Sequence, residues 1–300
     1  MPNDEKLYIS QVSDATGNSP VLYAIKDAEA VHKSDEASYG DIYGLFSDLI
    51  VFTGTESFTL KTNNGKKWNG TIEYSTDATT WTTWDGSSST AISSGEGNVL
   101  YLRGKNNTHI SSTDGRTYSK FVFTTTGTIA CTGDIRTLLD YEDPSNTTMD
   151  EYCYYYMFFN CTSLTSAPTL PATALANSCY AGMFYNCTSL TTIPRLPATT
   201  LASSCYTSMF YNCTSLTTIP ALPATTLATS CYQNMFNGCT NIKLSATQVD
   251  EYQTEYRIPT SGNGTDGTNS LTDMFSRTGG TFTGTPTIDT TYYTSNTVVS

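Results

Sequence analysis

The stretch that decides the fold is Met183-Phe184-Tyr185-Asn186-Cys187-Thr188-Ser189-Leu190, because nearly the same eight residues recur along the chain. Versions of it begin at Met157 and Met209, and a less well kept version begins at Met235. Successive versions start 26 residues apart. A fixed period of this length is typical of stacked repeats, in which each repeat buries its apolar face only against its neighbours.

The sequence pattern of each repeat predicts one strand and one helix. The residues Leu190-Thr191-Thr192-Ile193 are β-branched or apolar and predict a short strand. The segment from residue 198 to residue 210 predicts a helix, because Leu201, Cys205 and Met209 are four residues apart. This alternation of strand and helix predicts a mixed α/β fold class for the chain.

The pattern C-x-x-L-x-x-I-P…L-x-x-x-C-x-x-x-M-F-x-x-C resembles the BspA-like leucine-rich repeats of gut and oral bacteria and their phages. The resemblance covers about residues 150 to 248, through three to four repeats. It implies a solenoid of strands and helices with an adhesive, non-enzymatic surface. The chain then divides into four predicted domains, namely an attachment arm (1–48), an immunoglobulin-like β-sandwich (49–128), the leucine-rich repeat solenoid (129–248) and a C-terminal cap (249–300).

The proposed sandwich is a series of short β-rich runs separated by turn clusters such as Asn63-Asn64-Gly65. The predicted strands are 49–53, 57–61, 71–75, 80–84, 99–104 and 120–125. Trp81 and Trp84 are three residues apart, so in one regular strand they would face opposite sides. One of them is expected in the core, and the other is a candidate platform for a sugar.

The N-terminal arm predicts two strands, Leu7 to Val12 and Val21 to Ile25, and a short helix from Lys26. So small a segment cannot bury a core of its own and must dock onto another body. The phrase from Tyr23 to Ala30 resembles attachment segments of gut-phage (crAss-like or related) fibre proteins. The virion-attachment candidates are Tyr23, Ile25, Lys26 and Asp27 within this phrase, and Tyr8 and Ile9 in the first predicted strand. A disordered tail with chance similarity is the alternative.

Charge and hydropathy exclude several classes of partner. The net charge of −12 argues against nucleic acid, because phosphate binding needs clustered Lys and Arg. No run approaches the roughly 20 apolar residues of a membrane span, so no membrane insertion is expected. The N-terminus has no signal-peptide pattern, although the chain is rich in Thr, Ser, Asn and Tyr, as exposed proteins are. A phage protein made in the host cytoplasm fits this combination, and so does a surface protein whose export signal is missing from this sequence.

Eight of the nine cysteines fall into two columns at the repeat period. The first is Cys153, Cys179, Cys205 and Cys231, and the second is Cys161, Cys187, Cys213 and Cys239. Cysteines repeated once per coil are expected in the core as small apolar residues, although bridges between coils remain open. No C-x-x-C pair suggests zinc or redox chemistry.

Catalytic machinery is not predicted, nor is a cofactor. The chain has only His32 and His109, in different proposed domains, and no Asp or Glu from Ser163 to Thr247. An acidic cluster within residues 140–151 could bind calcium, but its spacing matches no calcium loop, and a solvated linker is favoured. The ligand-binding candidates are Arg195, the column Tyr154, Tyr180, Tyr206 and Tyr232, and Trp84.

Together these observations predict a non-enzymatic phage virion fibre or decoration protein, with a head fibre favoured over a tail fibre. It would attach to capsid or other virion proteins through its arm as a homo-dimer or homo-trimer, and bind a host-cell or mucosal glycan or protein through its repeats. The alternative is a BspA-like adhesin on a bacterial cell surface. A polysaccharide depolymerase is the third hypothesis.

Overall fold

A computed structural model describes four ranges of the chain, namely 8–12, 21–25, 48–260 and 269–300. The chain divides into two compact units, residues 1–48 and 49–300. In the first unit β1 (Tyr8–Val12) pairs antiparallel with β2 (Val21–Ile25), as a hairpin with Tyr8 opposite Ile25. The helix expected from Lys26 lies outside the described residues.

The second unit consists of strands and turns. Its described residues contain no α-helix, and its three 3-10 helices are Glu96–Asn98, Ile135–Leu138 and Pro144–Asn146. The predicted mixed α/β fold class, with a solenoid of strands and helices, is therefore wrong. Nor does any helix in this part of the chain have the length and hydropathy needed to cross a membrane.

Two sheets face each other in the N-terminal half of this unit. Their strands are β3 (Ile50–Gly54), β4 (Thr59–Thr62), β5 (Thr71–Ser75), β6 (Thr82–Thr83), β7 (Ile92–Ser93), β8 (Val99–Lys105), β9 (Phe121–Thr124), β10 (Ile129–Thr132) and β11 (Leu164–Ser166). The sheet orders are β11-β10-β3-β8-β5-β6 and β7-β4-β9. Phe52 joins the two sheets, with its ring centroid 5.0 Å from that of Phe123 and 6.2 Å from that of Phe121. The six strands predicted here all form, within two residues at each end, whereas the immunoglobulin-like assignment stays a prediction.

The larger sheet continues directly into the repeats. Strand β10 pairs antiparallel with β3 on one side and parallel with β11, in the first repeat, on the other. The backbone amide of Phe121 donates to the carbonyl of Met157 at 2.8 Å, and that of Ile110 donates to Cys153 at 2.9 Å. The sheets thus occupy the place of a preceding coil and cover the apolar end of the first one.

The segment predicted as helical is a series of consecutive turns. In the second coil, the amides of Tyr180, Gly182 and Phe184 donate to carbonyls 25 residues ahead, in the third coil. The amides between them donate to carbonyls three residues back, as Met183 does to Tyr180 at 3.2 Å. Half of these amides therefore join successive coils, which a helix cannot do because its amides bond within the helix.

The turns require a left-handed backbone at every fourth residue. In the third coil, φ is +55° at Ser204, +54° at Ser208 and +57° at Asn212. Two residues of each four then point inward, as with Cys205-Tyr206 and Met209-Phe210, all at most 1% exposed. The spacing of four that predicted a helix is thus the period of the turns.

The core of the stack is built from columns of identical side chains. The rings of Phe158, Phe184, Phe210, Phe236 and Phe275 stack with centroids 5.3 to 5.7 Å apart and planes within 11°. Both predicted cysteine columns are buried and their thiols are free, which confirms the predicted core role. In the second column Cys161 donates to the carbonyl of Phe121 in β9, and the other three thiols donate to carbonyls of the preceding coil, as Cys213 does to Phe184 at 3.0 Å.

A fifth, irregular coil and short strands complete the C-terminal end. The amide of Phe236 donates to Met274 at 2.9 Å, so Met274-Phe275 occupies the next coil position despite the longer spacing. The remaining strands are β12 (Thr218–Pro220), β13 (Lys243–Ser245), β14 (Thr254–Arg257), β15 (Gly279–Gly280), β16 (Thr291–Thr294) and β17 (Thr297–Val299). They form a β12-β17 pair and a sheet of order β14-β16-β13-β15.

Substitutions at Ser208 distinguish these turns from a helix. Because Ser208 has a left-handed backbone, Ser208→Gly should be more stable than Ser208→Ala by about 1 kcal/mol. In a helix the order would be reversed by a similar amount. The backbone of Thr207 is not left-handed, so Thr207→Ala should be more stable than Thr207→Gly. Urea unfolding of the four variants measures both differences, and a more stable Ser208→Ala would contradict the turn structure.

The buried thiols predict unfolding at alkaline pH. Burial raises the pKa of Cys161 and of Cys239 from 9.0 to about 12. A group whose pKa is raised on folding stabilises the protein below its unfolded pKa and loses that effect as the pH rises through its folded pKa. The urea midpoint should therefore be nearly constant from pH 7 to pH 8 and fall between pH 9 and pH 12. A midpoint unchanged up to about pH 10.5 would count against thiols held in a dry core.

Candidate functional site

The predicted tyrosine column lies inside the stack. Tyr154, Tyr180, Tyr206 and Tyr232 are at most 1% exposed, and their rings stack 5.5 to 5.9 Å apart. The Tyr154 hydroxyl donates to the carbonyl of Ile135 at 3.1 Å. These rings pack against one another in the core and are not accessible to a ligand, which corrects their proposed role.

Trp84 is also a core residue. It is 3% exposed, and its ring centroid lies 5.3 Å from that of Trp68 and 5.7 Å from that of Phe121. It therefore cannot serve as a sugar platform. Trp81 is the outward member of the pair, and the guanidinium of Arg103 covers its ring at 4.0 Å.

Arg195 is exposed, in the loop between the strand position and the turns of its coil. Of the attachment candidates, Tyr8 and Ile9 lie in β1 and Tyr23 and Ile25 in β2. Lys26 and Asp27 lie outside the described residues. The roles proposed for these residues stay predictions.

A different set of rings forms the surface of the stack. Seven partly exposed rings make one continuous group, which we call the aromatic strip: Tyr118, Tyr152, Tyr155, Tyr156, Phe159, Tyr185 and Tyr211. Neighbouring centroids lie between 4.4 Å, for Tyr185 and Tyr211, and 6.3 Å, for Tyr118 and Phe159. The strip crosses from the sheets over the first three coils.

Two glycines position the first rings of the strip. Tyr152 and Tyr156 occupy left-handed turn positions, with φ of +59° and +52°. A Cβ on Gly115 would lie 2.5 Å from Cε1 of Tyr152, and one on Gly182 would lie 2.4 Å from Cε1 of Tyr156. Each ring therefore rests on a glycine backbone, which limits its movement.

Cationic side chains lie against both ends of the ring column Phe159, Tyr185 and Tyr211. The Lys120 ammonium lies 4.7 Å from the Phe159 centroid, and the Arg277 guanidinium lies 5.2 Å from the Tyr211 centroid. Arg277 also donates from Nη2 to the Tyr211 hydroxyl at 2.5 Å and from Nε to Asn237 Oδ1 at 2.9 Å. These contacts hold the column in one arrangement.

An asparagine ladder runs beside this column. The amide of Asn186 donates to Asn160 Oδ1 at 2.7 Å, and that of Asn212 donates to Asn186 Oδ1 at 2.6 Å. All three have positive φ, a backbone conformation that asparagine tolerates. The surface thus presents an aromatic edge and an amide in each of three successive coils.

The strip is a surface suited to contact and hydrogen bonding. Burial, and then neighbouring tyrosines, raise the pKa of Tyr156 to about 12, and burial raises that of Tyr185. These phenols therefore stay neutral at physiological pH and both donate and accept hydrogen bonds. Among the described residues, no three His, Cys, Asp or Glu side chains come together as a possible metal site.

Comparison with known proteins bears on the repeats. Residues 145–252 match the family described as BspA type leucine rich repeat region, in six copies. This match confirms the resemblance predicted from the sequence pattern, over the stretch that forms the coils. Repeats of this type suggest an adhesion-type surface protein and are typically non-enzymatic binding repeats. No curated protein matches the chain, and no solved structure matches it.

Exchange of Gly182 for alanine tests how Tyr156 is held. The new Cβ would collide with the ring of Tyr156. Gly182→Ala should therefore lower the free energy of unfolding by more than the roughly 1 kcal/mol that a left-handed backbone alone costs an alanine. Gly65→Ala is the control, because Gly65 has a similar φ of +69° with no atom within 4 Å of its Cβ position. In a Tyr156→Ala background the two glycine variants should cost the same in urea unfolding. If the two glycine variants lower the free energy of unfolding equally while Tyr156 is present, the contact between Gly182 and the Tyr156 ring is contradicted.

Proposed function

We propose that this protein is a non-enzymatic phage virion fibre or decoration protein, on the head rather than the tail. It adheres to a glycan or protein of the host cell or mucus through the aromatic strip. The observation that carries the adhesive role is the strip itself, seven partly exposed rings beside an asparagine ladder on rigid coils. The virion role rests on the resemblance of residues 23 to 30 to fibre attachment segments.

The composition of the strip favours macromolecular recognition. Tyrosine supplies a large contact area with few rotatable bonds, and Tyr, Asn, Ser and Gly together are the residues that dominate antibody paratopes. The rings and amides are already fixed by stacking and by the ladder, so little side-chain entropy is lost on binding. The two flanking cations, Lys120 and Arg277, do not form the broad basic patch that nucleic acid requires.

Attachment through the N-terminal arm would multiply a weak interaction. A homo-dimer or homo-trimer held to capsid or other virion proteins by the β1–β2 unit would present several strips per particle. Linked sites bind a surface far more tightly than one site does, because each later contact is intramolecular.

The second proposal is a bacterial cell-surface adhesin with the same strip, and the BspA type match favours it. Mass spectrometry of purified phage particles and of cell-envelope fractions from one culture separates the two. Enrichment in particles supports the fibre. Enrichment in the envelope supports the adhesin and overturns the virion role.

Adhesion is tested by removing rings from the strip. The double variant Tyr185→Ala/Tyr211→Ala should lose at least about tenfold in binding to bacterial isolates or immobilised mucin, because hot-spot aromatics carry most of an interface's energy. Tyr101→Ala is the matched control, since Tyr101 is a partly exposed tyrosine on β8, outside the strip. Surface plasmon resonance and cell pull-down measure binding. If the double variant binds as tightly as the unmodified protein, the aromatic strip is not the adhesive surface.

A further inference from the structure

A groove of about 490 Å³ opens between the first two coils. One wall is formed by residues 145–149, the other by residues 171–176, and Arg136 lies between them. The two walls occupy equivalent positions of successive repeats, 26 residues apart. The volume lies within the range of pockets that bind small ligands.

The groove exists because the coils separate here. Between the second and third coils, at the equivalent position, the amides of Thr199 and Thr200 both donate to the carbonyl of Thr173, at 3.1 and 3.2 Å. Within the described chain no backbone hydrogen bond joins 145–149 to 171–176. The first wall follows a 3-10 helix, Pro144–Asn146, and bonds locally to it, since Thr147 Oγ1 donates back to the Pro144 carbonyl at 3.0 Å.

Arg136 presents unused donors to this groove. Its Nε and Nη2 donate to Asp134 Oδ2 at 3.1 and 2.8 Å, which leaves Nη1 without a protein acceptor among the described residues. Asp134 does not line the groove, so the cationic side of the pair faces it.

We propose that this groove binds one neutral sugar residue of a glycan, with Arg136 donating to its ring hydroxyls. The inference rests on the proposed adhesive function and adds a second site, apart from the aromatic strip. A pyranose has polar edges and apolar C–H faces. The walls match both, with the hydroxyls of Thr147, Thr148 and Thr173 and the apolar side chains of Met149 and Leu175.

Charge favours a neutral sugar over an acidic one. Asp134 neutralises Arg136, and Asp143 and Asp150 stand at either end of the first wall. The chain as a whole carries a net charge of −12, which repels anionic glycans at long range. A carboxylated sugar would therefore meet no net positive charge at the groove.

The test uses the full chain and saturation-transfer NMR. The neutral probes are the methyl glycosides of glucose, galactose, mannose and N-acetylglucosamine. The acidic probes are glucuronic acid and N-acetylneuraminic acid. Thr148→Trp fills the groove from its exposed wall, and Arg136→Lys keeps the ion pair but removes the Nη1 donors. Thr200→Trp is the matched control, because Thr200 is exposed at the equivalent position two repeats on and does not line the groove. Circular dichroism checks that each variant folds.

At least one neutral glycoside should bind, with its Kd raised at least tenfold by Thr148→Trp and by Arg136→Lys and changed less than twofold by Thr200→Trp. Absence of neutral binding at about 10 mM ligand, binding of the acidic probes alone, or binding that survives Thr148→Trp would each overturn the proposal. Failure here while the unmodified protein still adheres to cells or mucin would leave the proposed function standing. Loss of adhesion in the strip variants with sugar binding intact would show that the two sites act independently.

Discussion

The whole stack depends on one division of backbone hydrogen bonds. Every second amide in a run of turns donates to the next coil, and the amides between donate within their own coil. This satisfies the buried backbone, and it places each residue beside its equivalent in the neighbouring repeat. The columns of phenylalanine, tyrosine and cysteine in the core, and the asparagine ladder on the surface, are consequences of that register.

The repeat length, the thiol columns and most strands could be predicted from the sequence, because period and alternation report burial directly. The helix could not be excluded, since over a segment as short as Leu201 to Met209 a period of four closely resembles 3.6. A signal against it was present. Ser204, Ser208 and Asn212 stand at every fourth place, and Ser, Asn and Gly fill the same places in the second and fourth coils, although the first coil has Tyr152 and Tyr156 there. Small or locally hydrogen-bonding residues at that spacing indicate repeated left-handed turns.

The surface was harder to predict than the core. Tyr206 and Tyr211 both have a tyrosine 26 residues earlier in the sequence, yet one is buried and the other partly exposed, because two consecutive residues in each turn point inward. The contacts of Tyr152 with Gly115 and of Tyr156 with Gly182 join distant parts of the chain. Likewise, the groove at Arg136 arises from a missing backbone contact between coils. No local pattern reports such features.

The bonds between coils also decide how the molecule would respond to traction. They run from coil to coil, so a pull along the stack would load every interval equally, and the weakest interval would break first. Each coil that peeled away would release 26 residues, or roughly 90 Å of extended chain. The stack would then lengthen in steps, each of which dissipates energy before the next coil is loaded to failure.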